Sequence, residues 1–231
     1  MMNIVIIGAT SGIGRELWRH YVSTDNRVAV IGRRKEEIEK MEEDAPERTV
    51  VYACDIADTA AANKMMDAVA VELGMIDHVI VCAGIGELNP GLDVETELMA
   101  VRVNVEGWTN CVDRAFNLFC AQGRGHLVVI TSVGGLQAAP IAPAYSASKA
   151  YQINYIRALQ RKAKGSVITV TEVRPGLVRT RMAKGEGLFW VMPVDKVTRA
   201  IVKAIGRKRR RLITDRRWRA VNFMLRHFGG L

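Results

Sequence analysis

Tyr145 and Lys149 stand four residues apart in the stretch YSASK. On a helix that spacing puts a phenol and an ammonium on one face. A fixed cation beside a phenol eases the loss of its proton, so the pair suits proton transfer. Ser132 lies thirteen residues upstream, directly after the apolar run LVVIT. When a hydride reaches a carbonyl carbon, charge develops on the oxygen, and a phenol and a serine hydroxyl aimed at that oxygen stabilise it. Asn104, in VRVNVEG, can bond backbone groups, kink its helix and hold a water beside Lys149 that leads protons to solvent. Tyr145 is therefore expected to give or take the proton, Ser132 to fix the substrate oxygen, and Lys149 to depress the phenol's pKa. His126 is the one histidine near these motifs, and it reads as a strand-edge residue. No HExxH, cysteine cluster or carboxylate grouping has metal-ligand spacing, so no metal is expected.

Such a set works only on a scaffold that brings distant segments together. Short β-rich runs alternate with helical stretches along the whole chain. Strands are expected at 3–7, 27–31, 49–53, 77–82, 126–131, 167–173 and 211–214, and helices at 12–24, 34–43, 59–73, 94–120, 143–164 and 195–206. Runs such as VIVCA and LVVIT are continuously apolar, as strands covered on both faces are. The alternation predicts an α/β fold: a doubly wound, Rossmann-like parallel sheet of about seven strands in three α/β/α layers. No linker divides it, so one domain is expected over 1–231, with a basic extension at about 206–231.

The segment GATSGIG joins the first strand to the first helix. Gly8 can take a backbone shape closed to other residues. Gly12 and Gly14 permit close approach of a dinucleotide and tight helix–strand packing, with Thr10, Ser11 and Ile13 completing the turn. Free amides at the helix start then face a pyrophosphate. The second strand ends at VAVIGRR, where an acid would grip the ribose hydroxyls and repel a 2′-phosphate. Arg33 and Arg34 stand there instead, and a guanidinium holds a phosphate by two parallel bonds. NADP(H) is thus expected in preference to NAD(H), with Arg15 adding charge. Asp55 can accept from the adenine amino group with Ile56 against the ring edge, while Asp58 is better placed to cap the next helix. Cys82, Ala83 and Gly84 close strand four with side chains small enough for a ribose or flat ring to lie close.

The 231 residues suffice for one sizeable core, and 49% apolar with 25% charged residues is the balance of a globular protein. No apolar run reaches membrane-span length, and the opening MMNIVIIGAT reads as the first strand and not as a signal peptide. Four cysteines without a C-x-x-C pair fit buried thiols in a reducing cytoplasm. The formal charge of +9 lies entirely in residues 203–231, which hold ten Lys or Arg against Asp215.

Taken in order, these motifs resemble those of the short-chain dehydrogenase/reductase family, in its one-domain type, over residues 3 to about 205. GATSGIG is similar to the family's TGxxxGIG, with Ile7 in place of the usual Thr, and CAG at 82–84 stands where NAG is usual. The resemblance implies that Asn104, Ser132, Tyr145 and Lys149 form the catalytic tetrad. It implies that Lys149 also holds the nicotinamide ribose hydroxyls, and that Pro175, Gly176, Val178 and Thr180, in PGLVRT, wrap the nicotinamide carboxamide. It further implies a seven-stranded parallel sheet, a carbonyl or alcohol substrate, and assembly as a homodimer or homotetramer.

The stretch from Thr180 to Asp195 faces the substrate in that family. Gly185 and Gly187 suggest a mobile flap there. Leu188, Phe189, Trp190, Val191 and Met192 are expected to line an apolar pocket opposite Leu136–Ile141, or else to pack on the body or a second subunit. In the tail, Trp218, Val221, Leu225 and Phe228 fall on one helical stripe with Arg217, Arg219 and Arg226 around it. That stripe could cover the body or a subunit, or rest peripherally on an anionic membrane. No recognised nucleic-acid module supports that use of the charge. Two rival functions keep the same fold: a non-catalytic dinucleotide-binding regulator, against which the intact Ser132, Tyr145 and Lys149 argue, and a nucleotide-sugar epimerase or dehydratase, for which the C-terminal region is short.

Overall fold

The computed structural model describes residues 1–183 and 187–228, with side chains as far as Leu225. Seven parallel strands form one sheet: β1 (Asn3–Ile7), β2 (Arg27–Gly32), β3 (Thr49–Ala53), β4 (His78–Val81), β5 (Gly125–Ile130), β6 (Ile168–Arg174) and β7 (Arg211–Ile213). Their order is β3-β2-β1-β4-β5-β6-β7, so the winding reverses between β1 and β4. The crevice for a ligand in such sheets lies at that reversal, beyond the carboxyl ends of the strands.

Both faces of the sheet are apolar because both are covered. Alternate residues divide cleanly between them. Val5, Ile7, Val79, Val81, Leu127 and Val129 pack with α3 (Thr59–Leu73), α5 (Trp108–Gln122) and α6 (Pro143–Lys162). Ile4, Ile6, Val28, Val30, Ile80 and Val128 pack with α1 (Gly12–Val22), α2 (Lys35–Asp44), α7 (Val194–Gly206) and α8 (Arg216–Phe228). Asp58 caps α3, its carboxylate accepting from Ala61 N at 2.9 Å, as its position just before the helix predicts.

The expected single helix over 94–120 is three pieces. α4 (Val94–Val101) runs into a π-helical turn at Arg102–Gly107, and α5 follows. The widened turn carries Asn104, whose side chain is fully buried and bridges to another segment instead of bonding its own helix. Single π turns of this kind are frequent at functional sites.

The C-terminal stripe turns inward. Trp218 is 4% exposed and Val221 packs beside it on the second core layer. Arg216, Arg217 and Arg219 stay on the outer face. The side chains of Arg226 and Phe228, also named above, lie outside the described ones, as does Gly185. Trp218 and Val221 of the stripe thus pack on the body, while Phe223 and Met224 of the same helix are exposed. Among the described residues no helix is long and apolar enough to cross a membrane.

Candidate active site

Every candidate residue for the cofactor or for chemistry, apart from Arg15 and Asn104, lines one cleft of about 870 Å³ at the carboxyl ends of the strands. Asn104 lies just beneath its floor.

At one end the turn after β1 doubles back on β2, with Gly8 N and Ala9 N both donating to Ile31 O at 2.8 and 3.1 Å. Gly8 has φ +88°, and a Cβ on it would fall 2.5 Å from Ala83 N. No other residue fits there. This tight crossing lets the N-terminus of α1 open onto the cleft, where free amides and the helix dipole suit a phosphate. Gly12 approaches the methyl of Thr180, which joins the glycine turn to the segment after β6.

The basic residues gather at the same end. Arg34 bonds Thr10 Oγ1 through Nε at 3.2 Å and Nη2 at 2.7 Å. Arg33 pairs with Asp55 at 3.3 Å, and Arg15 with Glu37 at 2.6 Å. Arg34's own partner is neutral, and burial, then Arg181, hold its guanidinium below the ordinary value. Arg181, on the cleft wall, was not singled out from sequence; its one signal is its place next to Thr180. Asp55 also accepts from Ala57 N at 3.0 Å, so this acid shapes the turn after β3. Ile56 lies buried beside it.

At the other end stand Ser132, Tyr145 and Lys149. Ser132 caps the short helical turn Val133–Leu136, its Oγ accepting from Gly134 N at 3.0 Å, and so is a turn residue as well as a cleft residue. The Tyr145 hydroxyl lies 3.9 Å from Met182 Sδ. Lys149 is buried, with Nζ 5.9 Å from the Tyr145 ring centre.

Tyr145 lies above its ordinary pKa: enclosure by the cleft walls raises it, and the Ser132 hydroxyl pulls the other way. Lys149 is lowered to about 8 by burial, opposed by Cys82. The Cys82 thiol is pushed up to about 12 by burial and stays neutral. At neutral pH the site thus presents a protonated phenol beside an ammonium.

Asn104 pins the floor. Its Oδ1 accepts from Ile85 N at 2.8 Å, and its Nδ2 donates to Ile85 O at 2.8 Å and to Ser148 Oγ at 3.1 Å. Beside Lys149, where a water held by Asn104 was expected, the side chain of Gln152 links the lysine to the Asn104 backbone carbonyl. Sequence reading missed Gln152, although it lies three residues past Lys149 on the same helix. Among the described residues no group of three His, Cys, Asp or Glu is placed to hold a metal.

A family model described as short chain dehydrogenase matches residues 2–188. The chain belongs to that family. An uncharacterized oxidoreductase of Mycobacterium tuberculosis is 31% identical over 222 residues, covering 89% of this chain and 85% of that one. Among solved structures, the closed form of a serine dehydrogenase complexed with NADP+ superposes with a TM-score of 0.82 at 22% identity, over 88% of this chain and 89% of that one. ElxO with NADP bound gives 0.83 at 19% identity, over 95% and 99%. At these identities the two structures establish the shared fold. This member of the short-chain dehydrogenases is accordingly an oxidoreductase-family protein on a seven-stranded parallel sheet.

Of the places expected for Phe189 and Trp190, packing on the body is the one observed. Leu188, Phe189 and Trp190 do not line the cleft. Phe189 stacks on Trp218 with ring centres 5.6 Å apart, and Trp190 meets the same indole edge-on at 6.3 Å. Met192 is buried in a bridge to Val178. Trp218 offers these rings a rigid apolar face, and its Nε1 donates to Trp190 O at 3.2 Å. The wall near Tyr145 is instead Leu88, Ala139, Ile141, Met182 and Trp218. Of the expected opposite wall, Ala139 and Ile141 are in place.

Trp218 lies so close over Gly176 that a Cβ there would fall 2.0 Å from its ring. Gly176→Ala is expected to cost about 1–3 kcal/mol through overpacking. Thermal unfolding monitored by tryptophan fluorescence checks this, with a lowered midpoint and a red-shifted native spectrum as the outcome.

Proposed function

We propose that the protein is an NADP(H)-dependent oxidoreductase that interconverts a carbonyl and a secondary alcohol on an apolar substrate. One observation carries the reading: a glycine turn at a helix N-terminus and the Ser132, Tyr145 and Lys149 side chains open onto one cleft. The fit to a dinucleotide rests on the Gly8 crossing, which keeps the approach to α1 clear of any side chain.

The bound cofactor supplies or removes the hydride. The rest falls to the chain. Gly8, Thr10, Ser11, Gly12, Ile13 and Gly14 bind the pyrophosphate, and Asp55, Ile56, Cys82, Ala83 and Gly84 bound the adenosine side. Pro175, Gly176, Val178 and Thr180 hold the nicotinamide end. Ser132 donates to the substrate oxygen and orients it. Tyr145 gives its proton to that oxygen in reduction and accepts it back in oxidation. Lys149 keeps positive charge next to the phenol, which favours the phenolate as it forms. Leu88, Ile141, Met182 and Trp218 exclude water from the reacting centre.

Preference for the 2′-phosphate is supported by Arg33, Arg34 and Arg181 converging where an acid would discriminate against it. Arg34→Ala is expected to weaken NADPH binding about 10- to 100-fold, the worth of one charge-assisted bond, and to leave NADH binding nearly unchanged. Fluorescence titration with both cofactors measures this. Equal losses for the two, or tighter binding of NADH by the unaltered protein, would remove the preference.

A homodimer or homotetramer is part of the same proposal. Val94, Leu98 and Val101 on α4 are exposed and aligned, an apolar face suited to a second subunit.

The test of the activity is NADPH oxidation with a panel of apolar aldehydes and ketones, run beside Tyr145→Phe. Turnover that the variant lacks supports the proposal. No turnover on any carbonyl or alcohol, with NADPH bound, would favour the regulatory reading instead.

A further inference from the structure

Gln152 is fully buried, one turn beyond Lys149 on α6, and neither end of its carboxamide is idle. Its Nε2 donates to the backbone carbonyl of Asn104 at 2.8 Å. Its Oε1 accepts from Lys149 Nζ at 2.9 Å. The orientation of the amide is fixed by its partners, since a carbonyl only accepts and an ammonium only donates. A continuous polar chain thus runs from Ile85 through the Asn104 side chain, back along its carbonyl, through Gln152, to Lys149.

We propose that Gln152 is a positioning residue for Lys149: it couples the ammonium to the π turn that carries Asn104 and holds it charged at the floor of the cleft. The proposal rests on the oxidoreductase reading for its consequence in catalysis, but not for its geometry. A lysine head on a four-carbon stem is otherwise free to rotate among its donors. One short bond to a buried amide, itself anchored on a backbone carbonyl, removes that freedom. The same bond stabilises the charged form of the lysine against the burial that pulls its pKa down.

Few other groups could do this. Among the described residues, the titratable groups facing Lys149 are Tyr145 from its own helix and the neutral thiol of Cys82 at the end of β4. The π turn brings Asn104 and the segment after β5 brings Ser132, neither of which titrates in this range. Of the other charged residues on the cleft walls, Arg181 sits with Arg34 at the basic end, and Glu87 follows Gly86. Gln152 is therefore the fixed acceptor on which the charge of Lys149 depends.

The test reads Lys149 directly, in cofactor-free protein. Competitive labelling with acetic anhydride across pH, read by mass spectrometry on the Lys149 peptide, gives the pH at which the amine becomes reactive. Gln152→Leu removes the acceptor and is expected to lower that midpoint by about one pH unit, the worth of a hydrogen bond to a charged group. Gln152→Glu keeps the acceptor, adds negative charge and is expected to raise the midpoint above that of the unaltered protein. In the active enzyme, the high-pH limb of kcat for reduction should move in the same directions while KM for NADPH moves little. Unchanged midpoints in the folded variants would overturn the proposal. If Gln152→Leu fails to fold, the near-isosteric Gln152→Glu decides alone: an upward shift supports the proposal and no shift ends it. An unaltered protein without turnover would refute the oxidoreductase reading and leave the labelling result to stand by itself.

Discussion

Tyr145→Phe should lower kcat/KM for carbonyl reduction on the order of 10²–10⁴-fold, the usual worth of a placed general acid. The loss is expected in kcat, because the phenol acts on charge that exists only as the transition state forms. Stability should hardly change. The hydroxyl's neighbours are the Met182 sulfur and Ser132, and Ser132 keeps its bond to Gly134 N, so no buried partner is stranded. Steady-state kinetics beside a thermal melt checks both halves. A variant with undiminished turnover would remove Tyr145 from the reaction. The pH dependence follows with its sign. Reduction consumes the proton of a phenol that lies above its ordinary value, and so is present at neutral pH. The neighbouring Lys149 titrates at about 8. Its positive charge is complete below that value and is lost as pH rises through it, so reduction should fall on the alkaline side.

The largest expected effect on stability lies beneath the site. Glu172, fully buried on β6, accepts from Arg174 Nε at 2.8 Å and Nη2 at 2.6 Å, from Thr131 Oγ1 at 3.1 Å and from Arg211 Nε at 3.0 Å. Arg174 is buried as well, and its Nη1 donates to Asn222 Oδ1 of α8 at 2.7 Å. Glu172→Ala leaves a guanidinium out of water with no countercharge. A loss of about 3–5 kcal/mol is expected, a large share of the about 5–15 kcal/mol that holds an ordinary domain folded. Urea unfolding measures it. The double change Glu172→Leu with Arg174→Met should recover much of that loss, since an apolar pair demands no solvation. A double variant no more stable than Glu172→Ala would show that the bonds to Thr131, Arg211 and Asn222 matter more than the charge.

The sheet was readable because its strands are apolar on both faces. Runs such as NIVII and LVVIT are short and rich in β-branched residues, which favours strands over buried helix. The strand ends fell within a residue or two; β5, for example, spans Gly125–Ile130 against an expected 126–131. The π turn was not legible, because the apolar pattern on either side of Asn104 continues as one helix. What breaks it is a side chain bonding a residue nineteen positions away. The glycine turn and the Ser132–Tyr145–Lys149 set were visible because their chemistry is carried by residue type and short spacing. Gln152 was hidden for the opposite reason: a glutamine has no chemistry that singles it out until its two partners are in view. The same applies to Glu172 and Arg174, charges in the strand ITVTEVR whose need for each other appears only with the fold. Whether Phe189 and Trp190 line a pocket or pack on the body stayed open in the sequence because Trp218, on which they pack, comes from a separate helix late in the chain.

The match to the family model stops at residue 188, yet the indole that covers Gly176 belongs to α8. The part of the chain beyond the shared stretch thus supplies a panel of the chamber in which the reaction is proposed to occur. Exchanging only that helix for another sequence would redraw what the chamber admits while every proposed reacting group stayed where it is.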